Sequence, residues 1–241
     1  MCDYSPERIH RILFKISGEF LAGGKSQGFD HDTIEQIVAD IIEVKRMGVS
    51  IGIVLGGGNI FRGVSEANET VRRIAADNVG MLATVQNSII LAEYLRVRNY
   101  PTVIYSAIQI DRVSKFYAPE RAEASLNEGK ICLFCAGTGN PFFTTDTAAV
   151  LRAVELGAHL MLKGTKVDGV FTADPQRDDK AEFIPDISFD DVLNRQLNVM
   201  DMTAFSLARE AQMPVKVFNV TRPGMLKQAI LKRDVGTFVH P

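Results

Sequence analysis

The 241-residue sequence has no run approaching about 20 consecutive apolar residues, the length a membrane-spanning helix needs. Its first 18 residues, MCDYSPERIHRILFKISG, carry charges and Pro6 but no uninterrupted apolar stretch, so no secretory leader is expected. There is no basic excess. Lys and Arg number 27 against 29 Asp and Glu, a net charge of -2. Binding to nucleic acid chiefly through its phosphates calls for such an excess, so neither a membrane nor nucleic acid is an expected partner. Three cysteines, Cys2, Cys132 and Cys135, are too few for a disulfide scaffold and fit a reducing compartment. His10, His31, His159 and His240 are scattered, with no zinc-ligand spacing, and no Ser-His-Asp or Cys-His arrangement is evident.

What is present is ordinary globular material, 46% hydrophobic and 23% charged residues, enough for a sizeable core. The length fits one large domain or two small ones, and no Ser/Gly linker, charge block or repeat divides the chain. Strand-like and helix-like segments alternate. Residues 11–17, 49–58, 101–107, 130–137, 158–164 and 214–220 read as strands, and TFVH closes the series. Residues 33–48, roughly 69–98, 118–129, 144–157, around 201–212, and 223–233 read as helices. Asp32 is a plausible cap for the first helix and Gly48 its stop. Between 166 and 186 the pattern loosens, and Asp168-Gly169 between apolar flanks suggests a hairpin turn. Cys132 and Cys135 lie in the strand ICLFCAG, where odd spacing puts them on opposite faces as inert core residues. The alternation predicts an α/β fold, a three-layer αβα sandwich with a mostly parallel central sheet. Ligands of such sheets bind beyond the C-terminal ends of the strands.

Four strand ends carry chemistry. The first gives Lys15, Ile16, Ser17 and Gly18. The second gives Gly56, Gly57, Gly58 and Asn59, then Phe61 and Arg62. Glycines there expose backbone N–H groups to an anion, and a nearby Arg adds a bidentate contact to phosphate. The third runs from Gly137 through Thr138, Gly139, Asn140, Pro141, Phe142, Phe143, Thr144 and Thr145 to Asp146. On residues alone, Asp146 reads as a carboxylate at a helix N-terminus. The fourth gives Lys163, Gly164, Thr165 and Lys166, then Phe171 and Asp174. A lysine within an apolar strand needs a partner or a task; the plainer reading of Lys15 is an edge strand with the ammonium in water. Two such lysines, glycine-rich anion sites and acidic residues at 146, 174 and 201 fit phosphoryl transfer, which needs charge neutralisation more than covalent catalysis. GEFLAGGKS at 18–26 is one residue too long for a phosphate-binding P-loop, and Phe142 stands where a dinucleotide fingerprint needs its third glycine.

Five segments, KISGE at 15–19, GGGNIFRG at 56–63, GMLATV at 80–85, AGTGNPFFTTD at 136–146 and KVDGVFTADP at 166–175, closely resemble the bacterial UMP kinases of the amino-acid-kinase superfamily. VMD at 199–201 and VFN at 217–219 agree. The resemblance runs from about residue 11 to the C-terminus. It implies a single domain in which Mg²⁺-ATP phosphorylates UMP to UDP in pyrimidine nucleotide synthesis. It further implies a cytoplasmic homohexamer activated by GTP and inhibited by UTP. The UMP-binding part would lie mainly in 1–160 and the ATP-binding part mainly in 160–241.

Transferred by position, the resemblance makes Lys15, Arg62 and Asp146 catalytic. It places Lys15, Ile16, Ser17, Gly18, Gly58, Arg62, Lys163, Thr165, Phe171 and Asp174 on ATP. UMP would be held by Gly57, by Asp77 at the ribose, and by Thr138, Gly139, Asn140, Pro141, Phe142, Phe143, Thr144 and Thr145. Asp201 would belong to the metal shell. Two positions depart from the family: Phe171 stands where Tyr is usual, and GGKSQGFD at 23–30 replaces a run ending Gly-Phe-Gly-Ile-Asp in the region tied to GTP activation. Two other readings share some of these features, a kinase acting on a carboxylate or carbamate and a nucleotide sensor without turnover.

Overall fold

The computed structural model describes residues 4–61, 71–175, 177–197 and 200–241. Its elements, in chain order, are β1 (Arg11–Ile16), α1 (Gly18–Leu21), α2 (His31–Arg46), β2 (Ser50–Leu55), α3 (Arg73–Arg96), β3 (Thr102–Ser106), β4 (Lys115–Phe116), α4 (Pro119–Asn127) and β5 (Ile131–Cys135). There follow α5 (Thr145–Glu155), β6 (Leu160–Thr165), β7 (Val170–Phe171), β8 (Phe183–Ile184), β9 (Asp186–Ser188), α6 (Phe189–Asn194), α7 (Met202–Glu210), β10 (Val215–Asn219), α8 (Met225–Leu231) and β11 (Thr237–His240). Among the described residues nine strands form one sheet in the order β4-β3-β5-β2-β1-β6-β10-β11-β9. Every neighbouring pair is parallel except β10 with β11.

The alternation of β1 explains the layers. Ile12, Phe14 and Ile16 face a core shared with α2, α3 and α8, whereas Leu13 faces a second core under α4, α5 and α7. Cys132 and Cys135 fall into opposite cores, as their odd spacing requires. Burial pushes the Cys132 thiol up to about 12 and the Cys135 thiol to about 11, so both are chemically quiet. The expected three-layer parallel α/β fold is therefore present.

Three local expectations need correction. The strand carrying Lys15 is central, with four strands on either side, and Lys15 is buried, so it does not face water from an edge. The cap of α2 is Asp30, whose carboxylate accepts the Thr33 N–H at 3.0 Å; Asp32 sits inside the first turn. Asp168-Gly169 is no hairpin turn, because the hairpin is β7 with β8, joined through 172–182. Gly169 is required there by contact: an added Cβ would lie 2.5 Å from Thr237 Oγ1. The helical and strand periods did not reveal the short elements α1, β4, β8, β9 and α6, which are two to six residues long.

Candidate active site

Lys15 and Lys163 are register partners on the adjacent parallel strands β1 and β6, so their side chains leave the same face side by side. Two ammonium groups so placed repel unless an anion lies between them. Asp146 supplies it from the first turn of α5. Lys15 Nζ lies 2.8 Å from its Oδ1, and Lys163 Nζ donates to Oδ2 at 2.6 Å. Burial alone would raise the Asp146 carboxyl, but the two lysines outweigh it and bring it down to about 2. Burial lowers the Lys163 ammonium against the pull of Asp146. Asp146 is thus a helix-end carboxylate and also the clamp that sets both lysines.

Glycines bring the backbone of the first two strand ends together. A Cβ on Gly18 would lie 2.6 Å from the Gly56 carbonyl oxygen and 2.7 Å from the Gly58 nitrogen. One on Gly57 would meet Ala83 and the Gly80 carbonyl on α3 at 2.9 Å. Close packing, not positive φ, demands these residues. The 56–58 segment continues into a turn, with the Ile60 and Phe61 N–H groups on the Gly57 carbonyl. Asn59 and Asn87 exchange reciprocal amide hydrogen bonds of 3.0 and 2.7 Å beneath it. Arg62 lies outside the described residues.

The loop from β5 to α5 is held under strain. Ala136, Gly137, Gly139 and Phe142 all have positive φ, between 58° and 81°. For the two non-glycines that costs about 1–3 kcal/mol each. Neighbouring groups compensate. The Ala136 N–H donates to Thr84 Oγ1 at 2.7 Å, and the Phe142 N–H donates to Asp77 at 2.8 Å. Thr144 caps α5 by accepting the Asp146 N–H, and its hydroxyl donates to Asp201. Asp201 in turn caps α7 through the Thr203 and Ala204 N–H groups and accepts from Thr147 Oγ1 at 3.0 Å.

Three cavities open along the C-terminal edge of the sheet. One of about 180 Å³ is lined by Gly57, Asp77, Asn140, Phe143, Thr144 and Thr145 among the expected acceptor residues. Thr138, Gly139, Pro141 and Phe142 belong to the same loop but not to that lining. Thr138 Oγ1 instead accepts the Asn140 N–H at 3.2 Å. A second, of about 260 Å³, holds Lys15, Ser17, Glu19, Lys163, Thr165 and Lys166. The third, of about 420 Å³, shares Lys163 and Thr165 with it and adds Phe171, Asp174 and Arg195. Ile16 has its side chain fully buried in the core, which leaves only its backbone for a ligand. Gly58 faces the Glu19 side chain, 3.1 Å from where its Cβ would be.

Sequence reasoning gave no role to Arg73, Thr84, Glu19 or the Arg195, Gln196 and Leu197 wall of the cavity of about 420 Å³. Arg73 had a signal in its i,i+4 spacing from Asp77; the 195–197 wall had none. Among the described residues no group of three His, Cys, Asp or Glu side chains is placed to hold a metal ion, and no helix is long and apolar enough to cross a membrane.

The chain is similar to known proteins over most of its length. The sequence profile of the amino acid kinase family matches residues 10–219. The UMP kinase of Bacillus anthracis is 36% identical, with a TM-score of 0.92 over 96% of both chains. The UMP kinase of Ureaplasma parvum is 34% identical, with a TM-score of 0.90 over 97% of this chain and 100% of that one. The uridylate kinase of Archaeoglobus fulgidus, at 23% identity and a TM-score of 0.70 over 95% and 99%, shares the fold.

Proposed function

The chain belongs to the amino acid kinase family, and from that premise we propose that it is a UMP kinase, transferring the γ-phosphoryl group of ATP to UMP to give UDP and ADP. The observation that carries the reading is the Lys15–Asp146–Lys163 cluster, buried where the cavity of about 260 Å³ meets the one of about 420 Å³. The attacking group is itself a phosphate oxygen, ionised at neutral pH, so no general base is needed. The difficulty is bringing two anions together, which fixed cations and backbone N–H groups solve.

In this reading UMP occupies the cavity of about 180 Å³ and the adenosine of ATP the one of about 420 Å³. The donor phosphates then lie over Lys15, Ser17, Gly18 and Lys163, with the Ile16 backbone, Gly58 and Arg62 in support. Thr165, Phe171 and Asp174 contact the nucleoside. Gly57, Asp77 and the loop residues Thr138, Gly139, Asn140, Pro141, Phe142, Phe143, Thr144 and Thr145 frame UMP, so the acceptor part falls mainly in 1–160 and the donor part mainly in 160–241. Lys15 and Lys163 stabilise charge on the phosphoryl group in flight, and Asp146 holds both in place. Mg²⁺ would arrive on the ATP phosphates, which suits a donor set with Asp201 nearby and, among the described residues, no metal cage; bound there, it would neutralise phosphate charge.

The apolar side chains Ile74, Val79, Leu82 and Ile89 are exposed along α3. This row supports a homohexamer in which α3 packs on a second copy. Activation by GTP, inhibition by UTP and a cytoplasmic location complete the proposal.

An ADP-coupled assay with UMP, CMP, dUMP and small carboxylates tests it. UMP is expected to be by far the best acceptor. Turnover of a carboxylate with UMP inert would replace this reading with the carboxylate-kinase one, and nucleotide binding without ADP formation would make the protein a sensor.

A further inference from the structure

Arg73 stands where helix physics alone would not put it. It is the first residue of α3, in a first turn that contains no acid, although the helix dipole favours acids there. Its i,i+4 partner Asp77 follows it, the less favourable order for such a pair. A residue that breaks two local rules on the wall of a binding cavity is a candidate for function.

What Arg73 gains is contact. Its Nε donates to both carboxylate oxygens of Asp77 at 2.8 Å. Its guanidinium carbon lies 5.5 Å from the centroid of the Phe142 ring. Asp77 accepts the Phe142 N–H as well, at 2.8 Å. Phe142 has φ of 72° and is 63% exposed, so core packing does not hold it. Arg73, Asp77 and Phe142 form a closed triangle that ties the strained loop to α3 at the rim of the smallest cavity.

We propose that Arg73 is a positioning residue for the acceptor nucleotide. It fixes the Asp77 carboxylate against the cavity so that its remaining lone pairs meet the vicinal hydroxyls of a ribose, and it seats the loop at Phe142 on the same side. The proposal rests on the reading of that cavity as the UMP site. It makes Arg73 a determinant of ribose over deoxyribose, because only a sugar bearing the 2′-hydroxyl uses a carboxylate held in this way. A residue that served folding alone would weaken both sugars alike.

The test uses the full-length protein and its R73Q, R73K, D77N and R73Q/D77N variants, with calorimetric binding of UMP and of dUMP and steady-state kinetics for each substrate. R73Q is expected to weaken UMP by about ten-fold, the loss of one charge-assisted contact, and dUMP by much less. The KM for ATP should stay within about two-fold, since Arg73 is absent from the donor cavities. R73Q/D77N should bind UMP no more weakly than D77N, because both act through one carboxylate. R73K should recover only part of the loss, having no planar group to lay over Phe142. Equal weakening of UMP and dUMP, additive losses in the double variant, or a parallel rise in the KM for ATP would overturn the role of Arg73. A wild-type protein that binds no UMP at all would instead overturn the assignment of the cavity, and the proposal with it.

Discussion

The acceptor and donor cavities open on the same edge of one sheet, yet they are built in opposite ways. The acceptor wall is a single strained loop pinned by Thr84, Asp77 and Asp201. The donor wall is a hairpin of two-residue strands, closed by an edge-on contact of Phe171 with Phe183 at 5.5 Å and a short ladder between Thr172 and Glu182. On the proposed assignment, the difference follows from what each would recognise. Distinguishing one pyrimidine from another depends on polar groups whose directions cannot drift. Seating an adenine ring needs mainly flat apolar area, which aromatic packing supplies. Lys15 and Lys163 line the donor side, and Asp146, which joins them, follows Thr145 of the acceptor lining; this cluster gives the largest effect by which the contrast can be tested.

Lys15→Met should lower kcat by about 10²–10³, the usual loss for one transition-state donor, with UMP affinity changed only a few-fold. Reading Lys15 as a charge in an apolar strand predicts an unchanged or raised thermal midpoint. The structure reverses that expectation, because Asp146 Oδ1 would lose its cation while staying buried. A loss of about 1–3 kcal/mol, several degrees in a chain of this size, is expected instead. Calorimetric scanning beside single-turnover kinetics checks both halves of this statement, and wild-type turnover would remove Lys15 from the chemistry.

The next effect concerns the acceptor wall alone. UMP should be preferred over CMP by at least about 10² in kcat/KM, because a site that pairs with uracil leaves buried polar groups unmatched by cytosine. In the proposed reading Asn140, on the cavity lining, is the side chain that would read the base. Thr138 acts behind it by accepting the Asn140 N–H. Competition kinetics with both nucleotides decides the matter, and equal values would strip the 138–145 loop of its part in base selection.

The same contrast governs what could be read from the sequence. The alternation of strands and helices was legible because long buried elements impose their period on many residues, as in β1 and α2. The acceptor loop was legible because its glycines, threonines and Asn140 sit close together in sequence. The salt-bridged core of the site was only half legible. Lys15 and Lys163 were visible as misplaced charges, but their pairing with Asp146 depends on the register of β1 with β6, which no local pattern encodes. The donor wall was least legible. Its β7–β8 pairing rests on two residues per strand, and Arg195 to Leu197 join it only through the packing of α6. Arg62 carries a strong motif but falls outside the described residues.

The junction can also be probed with protons. The Asp146 carboxyl is held down from 3.8 to about 2. A depressed carboxyl contributes stability that is present above its unfolded value and lost as the pH falls through its folded one. The shift corresponds to about 2 kcal/mol, and that share should disappear between pH about 4 and about 2. Urea unfolding followed from pH 6 downwards should therefore show a steeper acid loss in the wild type than in Asp146→Asn. Parallel curves would mean that the two lysines do not hold this carboxylate in solution.

The smallest expected effect lies on the donor wall and tests whether the two halves are independent. Phe171 is half-buried and packs edge-on against Phe183, leaving it on the lining of the cavity of about 420 Å³. Phe171→Leu keeps apolar bulk but removes the ring. Loss of an aromatic contact is worth about 0.5–1.5 kcal/mol beyond area, so the KM for ATP should rise by roughly two- to ten-fold. Phe171→Tyr keeps the ring and adds a hydroxyl at an open cavity wall, so its KM for ATP should stay within about two-fold of wild type. In both variants the KM for UMP and the UMP-to-CMP preference should not move, because the acceptor loop is tied to α3 and α7 and shares no lining residue with the hairpin. Initial-rate kinetics with each substrate varied in turn gives the answer. A rise in the KM for UMP equal to that for ATP would show that the hairpin and the loop act as one unit, and the contrast between a pinned wall and a packed one would lose its functional meaning.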